Sequence, residues 1–397
     1  MSVTSANSVS TSINSGERPA KSDRLLSLQA LRAAAALLVV WVHAIDAAEQ
    51  FPAFPHQSDF FHLENFGACG VDIFFVISGF IVSLVAARAA TQAHVGGWIA
   101  AKRFLKRRIT RIFPLYWLLT CAIVLEGELG RFKVDWPSVA WLPTLFLLPS
   151  RHYPADFPIH VLGWSLMFEI YFYVVLGVFL VWTPRFILRN TSIFFCCMAA
   201  LGAIIGIHRP MLVIWMNPLV LEFVFGCMIG MLFARQKNPT QGPANISNSG
   251  RWFLVLGAVL LASTIFTGYR NASESPTIMA GDDCWLRVAI WGIPAALIVG
   301  GALFWNPAMR SLPARWMVFL GDASYSIYLC TLPARSVVEH FWRYFGKLGP
   351  DMGVFLCTVF CTCVGIFCYL LAERPLMRAF HNWEKPIPFS VPSGASN

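Results

Sequence analysis

The sequence is poor in charge. Only 13% of its 397 residues are Asp, Glu, Lys or Arg, against roughly 25% in soluble globular domains. A chain this short of polar side chains cannot cover a large water-exposed surface. That excludes a multidomain soluble enzyme and an intrinsically disordered protein. It also lacks spaced metal-ligand sets. Most of the 11 cysteines sit singly inside apolar runs as small apolar residues. Cys361-Thr362-Cys363 has neither a partner pair nor a nearby histidine, so no metal site is expected. Cys69 and Cys284 are expected on the same outer side, where a disulfide is permitted, although only the compartment favours one. No internal repeat is visible, so the inverted halves of many transporters are not seen. The segment Met1 to Arg24 is rich in Ser, Thr and Asn without an apolar core or a small-residue cleavage site. It reads as a solvated tail rather than a signal peptide.

What is abundant is apolar surface: 57% of residues are hydrophobic and the mean hydropathy is +0.60. The expected fold class is an all-α polytopic integral membrane protein. Ten runs of about 17–25 apolar residues are long enough to cross a bilayer as helices. They begin near Leu26, Val71, Ile109, His160, Ser192, Val213, Trp252, Leu286, Trp316 and Met352. An eleventh run, Trp136 to Pro149, is short and interrupted by prolines, and is expected to be re-entrant or interfacial. Ten spans with the N-terminus inside place 20 Lys and Arg in cytoplasmic segments and 9 in outer loops. Letting the short run cross lowers that ratio to 17:12, so the bias favours ten spans with both termini cytoplasmic. The net charge of +9 then belongs to loops facing the cytoplasm. Lipid is the expected surrounding partner and nucleic acid is not. Oligomeric state is not legible. The expected organisation is a tail over 1–24, one membrane domain over 25–380 and a flexible tail over 381–397.

An ionisable side chain inside a span costs about 2.5–3.5 kcal/mol on insertion scales, so each one asks for a reason. Arg32 and His43 lie eleven residues apart in the first run, which returns them to one helix face about 16 Å apart. The plainer alternative is a snorkelling arginine and an interfacial histidine. Asp72 opens the second run and is expected at the depth of His43, where a carboxylate would orient the imidazole. Capping its own helix is the alternative. Ser78, Gly79 and Ser83 suit a helix-packing face. Arg108 and Arg111 share a face at i, i+3, and paired guanidiniums suit a polyphosphate, although basic clusters beside spans more often serve topology or lipid headgroups. Glu169 and Glu222 are mid-membrane carboxyls, either buried glue or functional groups. Tyr325 and its neighbouring hydroxyls line a cavity or tie helices together.

The order of these residues carries more than any one of them. Leu28-Gln-Ala-Leu-Arg32, ten residues, then His43 resembles the first helix of the membrane acyltransferase family 3, the sugar O-acyltransferases. Four further blocks follow in that family's order: Gly70 to Phe80, Arg108-Ile-Thr-Arg111, Gly163-Trp164-Ser165 with Glu169, and Gly321 with Ser324 to Leu329. Glu373-Arg374-Pro375 closes the last run as members often do. The Glu169 block looks most like the exopolysaccharide acetyltransferase branch. Two departures stand out. Many members pair two glutamates where this chain has Glu169-Ile170, and many carry a histidine where it has Thr331.

The resemblance implies transfer of an acyl group, acetyl from acetyl-CoA above all, to a hydroxyl of a polysaccharide or lipid-linked glycan. Acyl-CoA would be a donor substrate and no bound cofactor is implied. His43, oriented by Asp72, would be the general base, with Glu169 a candidate for acceptor binding or proton transfer. Arg32, Arg108 and Arg111 would hold acyl-CoA. Trp164, Ser165, Tyr325 and Glu222 are candidates for the acceptor or the cavity wall. Two readings compete: acylation of a small hydroxylated metabolite, and a proton-coupled exporter of anionic glycan precursors. The expected location is the inner or plasma membrane.

Overall fold

The computed structural model describes residues 21–50, 63, 66–91, 96–129, 141–149, 158–206, 210–235, 244–267, 281, 283–305, 311–345 and 349–383. Residues 1–20 and 384–397, which hold nearly all of the two expected tails, lie outside them. The described chain is helical throughout, and its helices are α1 (Lys21–Glu49), α2 (Cys69–Thr91), α3 (Gly97–Glu128), α4 (Trp141–Phe146), α5 (Gly163–Trp182), α6 (Ile187–Ile205), α7 (Pro210–Met216) and α8 (Val220–Arg235). They continue as α9 (Ala244–Ser263), α10 (Cys284–Arg287), α11 (Ile293–Trp305), α12 (Leu312–Asp322), α13 (Ser324–Phe345), α14 (Pro350–Cys368) and α15 (Arg374–Trp383). Two π-helical turns, Val288–Gly292 and Tyr369–Glu373, join α10 to α11 and α14 to α15.

Among the described residues, nine helical stretches are both long and apolar enough to cross a membrane. They coincide with nine of the ten expected runs. The tenth, beginning near Trp316, is cut at Ala323. Ser311 caps α12 by accepting a hydrogen bond from the Ala314 N–H, and α12 ends at Asp322. α13 then starts afresh and runs 22 residues, about 33 Å of helix. It has the length to span but carries Arg335 and Glu339, which pair with each other one turn apart, and it packs along α1 and α14. Of the proline-rich eleventh run, the described part forms only the six-residue helix α4, far too short to cross. α1 begins at Lys21, ahead of the expected boundary at residue 25.

α2 is the hub. It is buried along most of its length and packs against α1, α8, α5 and α3. Its crossing with α8 has almost no space between backbones. A Cβ on Gly79 would stand 2.2 Å from the Phe223 carbonyl oxygen, and one on Gly226 would stand 2.2 Å from that of Val76. Without a hydrophobic force between helices in lipid, such close contact supplies dispersion energy and holds the pair. The outer faces of the bundle expose Leu125, Trp182, Ile204, Phe266 and Phe367, a surface suited to lipid rather than water.

Candidate active site

The structure sets Arg32, Arg108, Arg111, Ser165, Glu169 and Tyr325 around one cavity of about 330 Å³, enclosed by α1, α2, α3, α5 and α13. Six of the ten sequence-derived candidates therefore converge from four helices. Glu169 is the carboxylate of this chamber. It accepts a hydrogen bond from Ser78 Oγ at 3.1 Å and another from the Tyr173 hydroxyl one turn further along α5. Tyr325 donates to the Ile112 carbonyl at 2.8 Å, tying α13 to α3. Ser165 shares a 2.8 Å hydrogen bond with the Tyr328 hydroxyl, which also lines the chamber. The Arg108 guanidinium lies 5.8 Å from the Tyr173 ring and 6.0 Å from that of Phe104, a cation–π setting that keeps a partly desolvated charge in place.

A second, more open cavity of about 650 Å³ adjoins the first and shares Gln29, Arg32 and Arg111 with it. Its other walls include Asp322, Glu373, Arg374 and Arg378. Four guanidiniums thus meet two carboxylates, and Glu373 is already engaged by the Ser326 hydroxyl at 2.6 Å. Arg32 stands at the junction, only 9% exposed, with one guanidinium nitrogen donating to Gln29 Oε1 at 3.0 Å. The geometry is a basic vestibule that shares Arg32 and Arg111 with a chamber of largely apolar walls carrying hydroxyls and one carboxylate. Forked guanidiniums recognise phosphate oxygens pairwise, so the vestibule suits a polyphosphate.

Four candidates lie elsewhere. His43 does not line either cavity: the α1 residues of the chamber are Leu28, Gln29 and Arg32, and His43 is eleven residues further on, about 16 Å of helix. Asp72 does not orient it. Both oxygens of Asp72 accept from Arg287, at 3.0 Å and 2.8 Å, and a third Arg287 bond runs to the Ala68 carbonyl at 3.2 Å. A buried carboxylate takes the cation that reaches it with two aligned donors, and here that is Arg287. Its true counterpart at the imidazole is Asp46, whose Oδ2 lies 3.1 Å from His43 Nδ1. Glu222 is fully buried against Gly292 and within electrostatic reach of Asp72 and Arg287, so it belongs to that buried charge cluster and not to a cavity wall. Trp164 is buried behind the chamber, with the Arg287 guanidinium 5.9 Å from its ring. Cys69 and Cys284, expected to share a compartment, are both buried and free.

Sequence reasoning missed Arg374 and Arg378, whose i, i+4 spacing marks one helix face. Tyr328 is among the hydroxyls near Tyr325 that were expected to line a cavity or tie helices, whereas Tyr173 was given no role. Ser78, assigned to helix packing, faces Glu169 instead. Asp46 was legible, since i, i+3 spacing puts it on the His43 face.

Comparison with known proteins places the chain in a family. Residues 25–372 match an acyltransferase domain, that of the acyltransferase 3 family. The exopolysaccharide production protein ExoZ of Rhizobium meliloti (strain 1021) is 30% identical over 326 residues, covering 80% of this chain and 92% of that protein. No solved structure matches the chain. A family match across nearly the whole bundle, ending just short of Glu373, makes this chain a member of the acyltransferase 3 family and a multi-pass membrane O-acyltransferase.

Proposed function

We propose that the protein moves an acyl group, acetyl in the first instance, from cytoplasmic acyl-CoA to a hydroxyl of an exported polysaccharide. The single observation that carries the donor half is the junction of the two cavities at Arg32 and Arg111. A donor with an anionic head and a narrow apolar arm fits a wide basic vestibule followed by a smaller chamber. Arg111, Arg374 and Arg378 hold the phosphates, Arg32 grips the donor where the cavities meet, and Arg108 balances Glu169 inside. The acceptor half rests on the resemblance of the chain to ExoZ, whose name places that protein in exopolysaccharide production. Both termini then lie in the cytoplasm, and His43 faces the opposite side, where the glycan arrives.

In the reaction the acceptor oxygen attacks the thioester carbonyl carbon. A C–O bond forms, the C–S bond breaks, and the acceptor's proton passes to His43 Nε2 and on to the departing thiolate. The products are an O-acyl glycan and free CoA thiol. A positioned base contributes typically 10²–10⁴-fold. The donor arm has to pass beyond the chamber to meet His43, and the edge-to-face pair Phe74 and Tyr328, with ring centres 6.0 Å apart, stands on the chamber wall as the first obstacle. Detergent-purified protein given acetyl-CoA should release CoA thiol in step with ester formation on added exopolysaccharide. Release without any ester formed, or no release with acceptor present, contradicts the proposal.

A further inference from the structure

His43 sits in a small polar cluster at the far end of α1, away from both cavities. Its Nδ1 lies 3.1 Å from Asp46 Oδ2, and both side chains keep about a quarter of their surface exposed, 23% and 26%. Arg335, from α13, stands 3.8 Å from the same Asp46 oxygen. It is itself held by Glu339 on the next turn and by Gln50 Oε1 at 3.3 Å. The arrangement fixes a protonation pattern by elimination. An ionised carboxylate only accepts hydrogen bonds, so Nδ1 carries the proton, and in the neutral imidazole Nε2 then holds the lone pair. Nε2 has no partner among the described residues and the ring is partly exposed, so its lone pair is available to a hydroxyl. Arg335 limits the rotation of Asp46, which in turn limits the ring.

We propose that Asp46, tethered by Arg335, is the positioning residue of His43: it selects the Nδ1–H tautomer, aims Nε2 at a saccharide hydroxyl arriving from that end of the bundle, and stabilises the imidazolium formed when Nε2 takes the proton. This rests on His43 acting as the base in the reaction proposed above. It assigns to Asp46 the part that sequence order suggested for Asp72. Helix geometry favours it, because residues three apart on one helix keep a fixed relation while the bundle moves.

The competing role for Asp46 is a plain tie between α1 and α13, and nitrogen-15 NMR of the histidines in the full-length protein separates the two. The His43 signal is identified by its loss in His43→Gln. In the wild type Nδ1 is expected protonated and Nε2 not. Asp46→Ala should move His43 towards the Nε2–H tautomer and lower kcat about 10–100-fold, the range for residues that orient a functional histidine, with KM for acetyl-CoA within about twofold. Asp46→Glu should restore part of kcat. An unchanged tautomer in Asp46→Ala, or a drop in kcat matched by an equal loss of folded protein, overturns the proposal. Should Asp46→Ala fail to fold, the near-isosteric Asp46→Asn carries the test: its uncharged amide should still lower kcat, and wild-type kcat refutes the role. Turnover by His43→Gln at the wild-type rate would instead defeat the general-base reading, and the tautomer result would stand apart from it.

Discussion

Asp72 and Arg287 form a two-pronged ion pair in the middle of the bundle, with side chains 1% exposed on each side and donor–acceptor distances of 2.8 Å and 3.0 Å. The pair joins the start of α2 to the helical turn α10, and Glu222 from α8 lies beside it. Removing one member of such a pair strands the other charge in the interior, which costs about 3–5 kcal/mol. Asp72→Ala and Arg287→Ala should each lower the unfolding midpoint in detergent sharply. The double change Asp72→Leu with Arg287→Met should recover part of the loss, because neither member of the pair is then stranded, while the Glu222 carboxyl beside it loses the Arg287 charge. Additive losses in the double variant would show that the pair is not a unit.

The vestibule sorts donors by their head group. Arg374→Ala with Arg378→Ala should raise KM for acetyl-CoA by about 10-fold or more, since each charge-assisted hydrogen bond is worth about 1.5–3 kcal/mol. KM for acetyl-pantetheine, which lacks the nucleotide and its phosphates, should stay within about twofold. Steady-state kinetics with the two donors checks this. An equal rise for both would place the arginines away from the phosphates.

Glu169 is expected to act through its charge, and Ser78 to act through Glu169. Glu169→Gln keeps the size but removes the charge that balances Arg108 and Arg111, and should lower kcat about 10²-fold, within the range for a positioned proton-transfer group. Ser78→Ala leaves Glu169 with the Tyr173 hydroxyl and should cost less than about tenfold, in line with one neutral hydrogen bond of about 0.5–1.5 kcal/mol. Measured kcat for the two variants gives the order, and a larger loss in Ser78→Ala would make the serine a direct participant.

The crossing of α2 and α8 leaves no room for a methyl group. Gly79→Ala sets a Cβ against the Phe223 carbonyl, and overpacking of this kind costs about 1–3 kcal/mol. Thermal unfolding in detergent should show the loss, and the equivalent change at Gly300, where the nearest neighbour is the flexible Ile229 side chain at 3.7 Å, should be close to neutral.

Much of this was legible before any coordinates. Charge scarcity and run length gave the all-helical membrane class, and nine of the runs appear where hydropathy placed them. The run near Trp316 was misread because hydropathy averages over the break at Ala323 and over Arg335 and Glu339, which pair with each other on α13. Arg32 and Glu169 were found because an ionisable group inside a span costs enough to need a purpose, Arg108 and Arg111 by their shared helix face, and Ser165 and Tyr325 through the motif blocks that hold them. Pairings were the weak point. Asp72 and His43 seemed level because both mark helix ends, yet Gly67 already lies against Leu38 and Val42. α2 therefore starts below the level of His43 and runs away from it. Arg287 was counted as a loop cation, since a sequence does not reveal which distant helix turn will bring it 215 residues back to Asp72.

The central claim is that the donor is read at one end of the bundle and the glycan hydroxyl at the other. Sealed inside-out membrane vesicles test it most directly: labelled acetyl-CoA is added outside, with the saccharide acceptor either trapped within or supplied outside. Label should reach the trapped saccharide, and His43→Ala should abolish that transfer. Label appearing only on saccharide supplied to the same face as the donor would contradict the account.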